Sequence, residues 1–483
     1  MSHHTNRRRH AGSSGSRGGF GGGGPPGGYH RSGDRGPAGG NGHHHHHNPN
    51  GGPREHADLR LCKFFLIGGL EACQSGTACK YAHVLQRVAD LEAGGRDAGN
   101  PGRIGAVKAV AAWDNAGSGV KLFTGSKDGA VRMWDALSWK LENSEQLEGE
   151  VHCLAIASNF LACGYEGDYC DGAARVGLCR VFDLAGGRVF SLRCPGSAVA
   201  AATTTPSPGG AAAPPTSPGT ADADALPYAH AGRVYCVAIR SVSATRLDVY
   251  TGGHEGEIHG WTLAADAADF ALTSRFDAAT SGGHVAGVTC LALFAKSNYL
   301  VSGGLDRAVR VWSLADDAAA TAAALSSAGG APPRTAARLE CVRTARDRGH
   351  ADALTAVVEL VLADEQPFFV TAGLDSCFKA WDAAGNLAFD KPGLPAPVMA
   401  LATAGGGVSA AAPLLLLGLQ DGTVEIRQPT TQFKLRATLN ATVTQGHRGE
   451  VRALATGDQY FCSAGSDGRL MVWQWVAPLP PTA

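Results

Sequence analysis

The chain has 483 residues, 44% of them hydrophobic, with 66 glycines, 24 prolines and a net charge of −1. That is enough apolar material for a large core, but more Gly and Pro than a uniformly packed chain carries. No apolar run reaches the ~18 residues of a membrane span, and the opening MSHHTNRRRHAGSSG lacks the apolar stretch of a secretory signal. The expectation is an intracellular protein without membrane contact, in nucleus or cytoplasm with the nucleus slightly favoured. Its 13 cysteines are then free thiols except where they cluster. Through residue 56, seven arginines stand against Asp34 and Glu55, so this segment is +5 and the remainder −6. Attraction to a polyanion therefore belongs to the N-terminal end and not to the bulk of the chain.

Residues 1–56 are Gly, His, Pro and Arg with almost no aliphatic side chains, too little apolar surface to offset the entropy of ordering. They read as a disordered tail. Its SRGGFGGGGPPGGYHR combines arginine, glycine and scattered aromatics, a composition of flexible RNA-contacting segments and equally of a plain soluble linker. The run His43 to His47 reads as a low-complexity expansion or a tag rather than a metal site.

Residues 57–86 hold the cluster. Cys62, Cys73, Cys79 and His83 follow the spacing C-x10-C-x5-C-x3-H, and no strand or helix pattern accounts for the span. Three thiolates and an imidazole close a tetrahedral shell around one structural Zn²⁺ and leave no position for a reactive water. The segment has little core of its own, so chelation is expected to melt it and leave the rest of the chain intact.

The stretches RLCKFF and GTACKYAH resemble the CCCH zinc-finger family, in which a basic residue and an aromatic follow the first and third cysteines. Ten residues between the first two cysteines is long for that family, and LIGGLEA is expected to bulge. The resemblance implies single-stranded RNA binding. Phe64, Phe65 and Tyr81 would offer stacking faces, and Arg60, Lys63 and Lys80 charge for phosphates. Against this stands a reading in which the aromatics only roof the metal.

Residues 87–103 form a linker that is expected to supply the strand closing the domain that follows. From residue 104 to 476 the chain repeats itself. LFTGSKDGAVRMWD, VYTGGHEGEIHGWT, LVSGGLDRAVRVWS, FVTAGLDSCFKAWD, LLLGLQDGTVEIRQ and FCSAGSDGRLMVWQ each join two apolar strands through a turn with an acid. The acid stands six residues before the closing Trp or Arg, as in Asp128 and Trp134, or Asp421 and Arg427. An even offset places both on one face, and an acid at a tight turn accepts backbone N–H groups. FLACGYEGDYCDGAARVGLCRVFD adds a seventh unit, with an insertion in its turn and Phe182 in place of tryptophan.

These units, with the Gly-His or Ala-His pairs upstream of several, resemble the WD-repeat family. The resemblance implies an all-β, seven-bladed WD-repeat β-propeller. Its tetrad of His, Ser/Thr, Asp and Trp would be His284, Ser302, Asp306 and Trp312, then His350, Thr371, Asp375 and Trp381, and then His447, Ser463, Asp467 and Trp473. A fourth set, His230, Thr251, Glu255 and Trp261, carries Glu for Asp. The first unit lacks the His, the second most of the set, and the sixth has Leu417 and Arg427, so these blades are expected to be the least rigid. Two Ala/Pro/Ser/Thr-rich segments, 195–227 and 315–338, read as disordered insertions.

A single finger followed by seven repeats resembles the plant and algal CCCH zinc-finger proteins with WD repeats. No catalytic constellation stands apart from the tetrads, and no enzyme activity is expected. The leading reading is a non-enzymatic adaptor whose finger contacts single-stranded RNA and whose propeller recruits proteins. A protein scaffold, such as a ubiquitin-ligase substrate receptor with a purely structural finger, is the alternative, although WDALS and WDAAG lack the Trp-Asp-x-Arg run of that class. DNA binding is a third reading, weakened because a lone CCCH unit has no recognition helix.

Overall fold

The computed structural model describes residues 58–477, except 98–99, 116–118, 170–173, 195–227, 245, 266, 280–281, 295–297, 315–337, 340–348, 363–366, 383–384, 406–412 and 431. The tail, its His43–His47 run and the insertion at 195–227 lie outside the described residues, as does the insertion at 315–338 up to residue 337. Among the described residues, seven four-stranded antiparallel sheets follow one another as blades, beside one two-stranded hairpin. No helix among them is long and apolar enough to cross a membrane. The first blade runs through Val107–Asn115, Gly119–Ser126, Ala130–Asp135 and Leu141–Gln146. In the fourth, Arg338–Leu339 pairs with Val309–Ser313 as the outermost strand, so Arg338 belongs to the blade and not to the insertion.

Packing between blades explains the glycine that recurs before the turn in five of the seven blades. A Cβ on Gly125 would meet Val151 of the next blade at 2.4 Å, and one on Gly418 would meet Val451 at 2.7 Å. Five blades carry glycine at this register, and the fifth and seventh carry the next smallest residue, Ala372 and Ala464, so a small side chain is what lets the second strand of one blade lie close to the innermost strand of the next. The turn acids behave as their position dictates: Asp306 accepts from the backbone N–H of Ala308 (3.1 Å), Asp421 from Thr423 (2.9 Å) and Asp467 from Arg469 (3.2 Å).

The tetrads form hydrogen-bonded relays. Trp312 Nε1 donates to Ser302 Oγ (2.9 Å), whose hydroxyl lies 2.8 Å from His284 Nε2, and His284 Nδ1 lies 2.8 Å from Asp306. The relay repeats through Trp381, Thr371, His350 and Asp375, and through Trp473, Ser463, His447 and Asp467, at 2.8–3.0 Å throughout. Burial acts to raise the carboxyls of Asp306, Asp375 and Asp467, and the histidine bonds more than offset it, holding all three below their ordinary value. Glu255 completes the fourth relay with His230, Thr251 and Trp261.

The three blades without a full tetrad carry substitutes. In the first, Trp134 donates to Thr124 (3.0 Å), while Arg132 fills in for the histidine by binding Ser126 (2.8 Å), Asp128 and the Ala93 carbonyl (3.0 Å). In the second, Leu147 and Cys163 are buried in one apolar cluster with Phe182 packed against it. In the sixth, the buried Arg427 bonds Glu425 (2.8 Å) and the Phe433 carbonyl (3.1 Å), with its guanidinium 5.6 Å from the Phe378 ring. The anchor changes its chemistry but persists.

The seventh blade takes its outermost strand, β1 (Leu85–Glu92), from the N-terminal side. β1 pairs antiparallel with Arg469–Trp475, from Leu85 opposite Trp475 to Glu92 opposite Arg469. Arg469–Trp475 is thereby paired along its outer side, and the blade has its four strands. The chain then turns through the hairpin Arg96–Asp97 and Asn100–Ile104 into the first blade.

Candidate metal centre and nucleic-acid interface

The finger is built around one helical segment, α1 (Lys63–Ala72), where the sequence alone suggested neither helix nor strand. It starts at Cys62, whose carbonyl accepts from Leu66 N–H (2.9 Å), and breaks at Gly69 (φ 69°, ψ −162°), the left-handed residue that lets the chain turn back to Cys73. The break lies within the stretch expected to bulge. A 3₁₀ turn, Gly76–Ala78, then delivers Cys79. Cys62 N–H donates to the Ala82 carbonyl (3.1 Å) and Ala82 N–H to the Arg60 carbonyl (2.9 Å), which brings the first and last ligands side by side.

The four ligand atoms of Cys62, Cys73, Cys79 and His83 all lie within 4.8 Å of one another. Cys62 Sγ and Cys73 Sγ are 3.7 Å apart. A tetrahedron with metal–sulfur bonds of about 2.3 Å has edges close to this length. His83 Nε2 is buried without a hydrogen-bond partner, which suits a nitrogen reserved for a metal. The donor set fits one structural Zn²⁺, whose chemistry here is to replace the core that so short a segment lacks. Two further groupings of donor atoms do not fit a metal: His230 and His350 spend both ring nitrogens in the tetrads.

The aromatic set divides. Phe64 is 56% exposed and Tyr81 38%. Lys63 Nζ sits 5.0 Å from the Phe64 ring centroid and Lys80 Nζ 5.4 Å from that of Tyr81, and Arg60 is exposed. Phe65, grouped with them from sequence, is only 5% exposed and stacks on His83, centroids 4.3 Å apart and planes within 5°. For this residue the roof reading is the right one, because α1 turns it inward against the ligands. It cannot offer a face to a base.

Sequence reasoning missed the residues that fix the finger to the ring. Leu66, beside Phe65, is fully buried in a cluster with Val84, Leu85, Leu416, Phe461, Trp473 and Trp475 of the sixth and seventh blades. Leu59 N–H donates to the Arg436 carbonyl (2.9 Å), and Asp58 bonds the buried Arg436 guanidinium (3.0 Å) and approaches Lys434 (3.4 Å). Strand alternation sets Arg436 on the face opposite Leu435 and Ala437, so the sequence does not mark it as buried, and only the fold shows its burial and supplies Asp58 as its partner.

The fold and the site together define a WD-repeat propeller carrying one CCCH-type zinc finger. Residues 58–85 match the family described as zinc finger C-x8-C-x5-C-x3-H type (and similar), and residues 101–135, 278–313 and 438–474 match WD domain, G-beta repeat. The chain is similar to Zinc finger CCCH domain-containing protein 17 of Oryza sativa subsp. japonica, 25% identical over 434 residues, which cover 88% of this chain and 75% of the relative. It also matches Ribosome biogenesis protein ytm1 of Aspergillus oryzae (strain ATCC 42149 / RIB 40) at 30% identity over 81 residues, 17% of this chain and 15% of that protein. A CCCH finger on a WD propeller points to RNA binding joined to protein interaction.

Proposed function

We propose that the protein is an adaptor that holds single-stranded RNA on its finger and recruits proteins on its propeller. The observation that carries this reading is the pair of exposed rings, Phe64 and Tyr81, each beside its own lysine, on a module whose third aromatic is consumed in covering the ligands. An aromatic face with an adjacent cation suits a base and its phosphate, whatever the base. A roof would have turned all three rings inward.

The test is cross-linking to single-stranded RNA with wild type and Phe64→Ala/Tyr81→Ala, after confirming equal zinc content. Stacking is worth about 1–3 kcal/mol per base, so recovery should fall at least several-fold for the pair. Equal recovery would move the protein to the scaffold reading, and retention of duplex DNA in place of RNA would move it to the third.

A further inference from the structure

We propose that the end of the ring opposite the finger binds an acidic segment of a partner protein, gripped by Arg175, Arg233, Arg448 and Arg452. The inference rests on the adaptor reading only for the expectation that a protein is recruited.

The placement follows from strand register. In each blade the end of the second strand pairs with the start of the first, as Gly304 does with Val288. The loop entering a blade and the turn between its second and third strands therefore share one end. Arg233, Arg448 and Arg452 come from entry loops or the first residues after them, and Arg175 from the start of the third strand of the second blade. The finger joins at the other end, since β1 begins opposite Trp475, the last residue of its third strand.

Charge at this end is sorted by depth. The turn acids Asp128, Asp306 and Asp467 are drawn inward by Arg132, His284 and His447. Glu166 is 4% exposed, held by Arg233 (2.9 Å) and Arg175 (3.2 Å), whose own side chains are 47% and 63% exposed. Arg448 and Arg452 are also exposed. A guanidinium carries five donors, so an arginine that spends one or two on a buried carboxylate keeps others for a ligand. Arg452 pairs with Glu450, whose side chain is 24% exposed against its own 39%. The surface therefore presents the cationic half of the Glu166 pairs together with Arg448 and Arg452, and its exposed acids are Asp168 beside Arg175 and, on the fifth and sixth blades, Asp352 and Asp421.

The second blade adds height. Its hairpin strands, Phe160–Tyr169 and Ala174–Asp183, have 10 residues each, against 6 and 5 for Tyr299–Gly304 and Val309–Ser313 of the fourth. The extra length places Arg175 two residues beyond the Glu166–Gly177 pair, and its guanidinium reaches back to Glu166 beside that of Arg233.

A metal is the competing occupant, because Glu150, His152 and Glu166 bring three donor atoms within 4.8 Å. Lys108 already holds Glu150 at 2.6 Å and lies 3.3 Å from His152 Nδ1, and two arginines hold Glu166. Those cations repel a divalent ion and favour an anion. Between anions, carboxylates match arginine forks bidentately. RNA on the finger would have to pass around the ring to reach this surface, and Asp168 would interrupt a phosphate track.

The test is fluorescence anisotropy on the full, zinc-loaded chain with a labelled oligoglutamate peptide, an oligolysine peptide and oligouridine RNA. Oligoglutamate alone should bind this end, more weakly as salt rises, and Arg448→Glu/Arg452→Glu should weaken it by about tenfold or more, since like charges replace attraction. RNA binding should not change in that variant. Arg448→Ala/Arg452→Ala, with a milder loss expected, serves if charge reversal disturbs folding. Unchanged oligoglutamate affinity in both variants overturns the proposal, as does loss of oligouridine binding in either. Loss of RNA binding in Phe64→Ala/Tyr81→Ala with oligoglutamate binding retained leaves it standing.

Discussion

The finger and the ring solve the same problem with opposite means. The ring distributes its core over repeated contacts between neighbouring blades, and where a tetrad is missing another anchor takes its place, as Arg427 and Glu425 do in the sixth blade. The finger has Cys62, Phe65 and Cys73 as its buried cluster, with Cys79 against it, and everything else depends on one ion. Phe65 and Leu66 are adjacent in the chain, yet one belongs to the finger's cluster and the other to that of the ring. Different in what holds them, the two regions are joined through Leu66 on α1 and through Asp58 and Leu59 on the sixth blade.

Removing zinc is the strongest way to break that comparison. For isolated finger peptides, metal binding supplies about 10–16 kcal/mol, so chelation should abolish the finger's structure. The simple expectation is an untouched ring, but Leu66 stands in the ring's core and Asp58 covers Arg436. Chelated protein should therefore show a calorimetric transition lowered by a few degrees, with faster amide exchange along β1. An unshifted transition would mean that Leu66 stays seated without the metal.

A smaller, cleaner probe is Leu66→Ala beside Leu70→Ala. The first should cost about 2–5 kcal/mol of ring stability in denaturant unfolding, because it opens a cavity between the sixth and seventh blades. Leu70 is 54% exposed on the same helical segment, and its loss should stay within about 0.5 kcal/mol. Equal effects would place the junction elsewhere.

How much of this could be read in advance differs between the two regions. The six-residue offset from Asp306 to Trp312 and its repeats made the blades legible, because the offset reflects a periodic geometry that recurs along the chain. The ligand set was legible for the same reason: the chemistry restricts the residue types and spacing. What escaped was local rotation. Phe64 and Phe65 are identical letters, and only the start of α1 at Cys62 decides which one meets solvent. The exchange of a histidine for Arg132 also escaped, and in the second blade only Phe182 was legible as the replacement for tryptophan, because Leu147 and Cys163 join it only in the folded blade. The arginine surface escaped for a larger reason, since its residues come from three blades.

The smallest effect separates the ring's electrostatics from the finger's. Burial, with Lys108 adding to it, lowers the His152 imidazole to about 4 from its ordinary 6.5. The folded chain therefore keeps this ring neutral while the unfolded chain takes up a proton, and the resulting stability is complete above pH 6.5 and lost as pH falls toward 4. The loss is below about 1 kcal/mol at pH 6 and reaches about 3 kcal/mol near pH 4. Thiolate ligands also release metal on acidification, so a raw pH profile mixes both regions. Urea midpoints of wild type minus His152→Gln cancel the finger's share, because both proteins carry the same ligands. That difference should move against wild type as pH drops from 6.5 to 4, and a pH-independent difference would show that His152 titrates as it does in water.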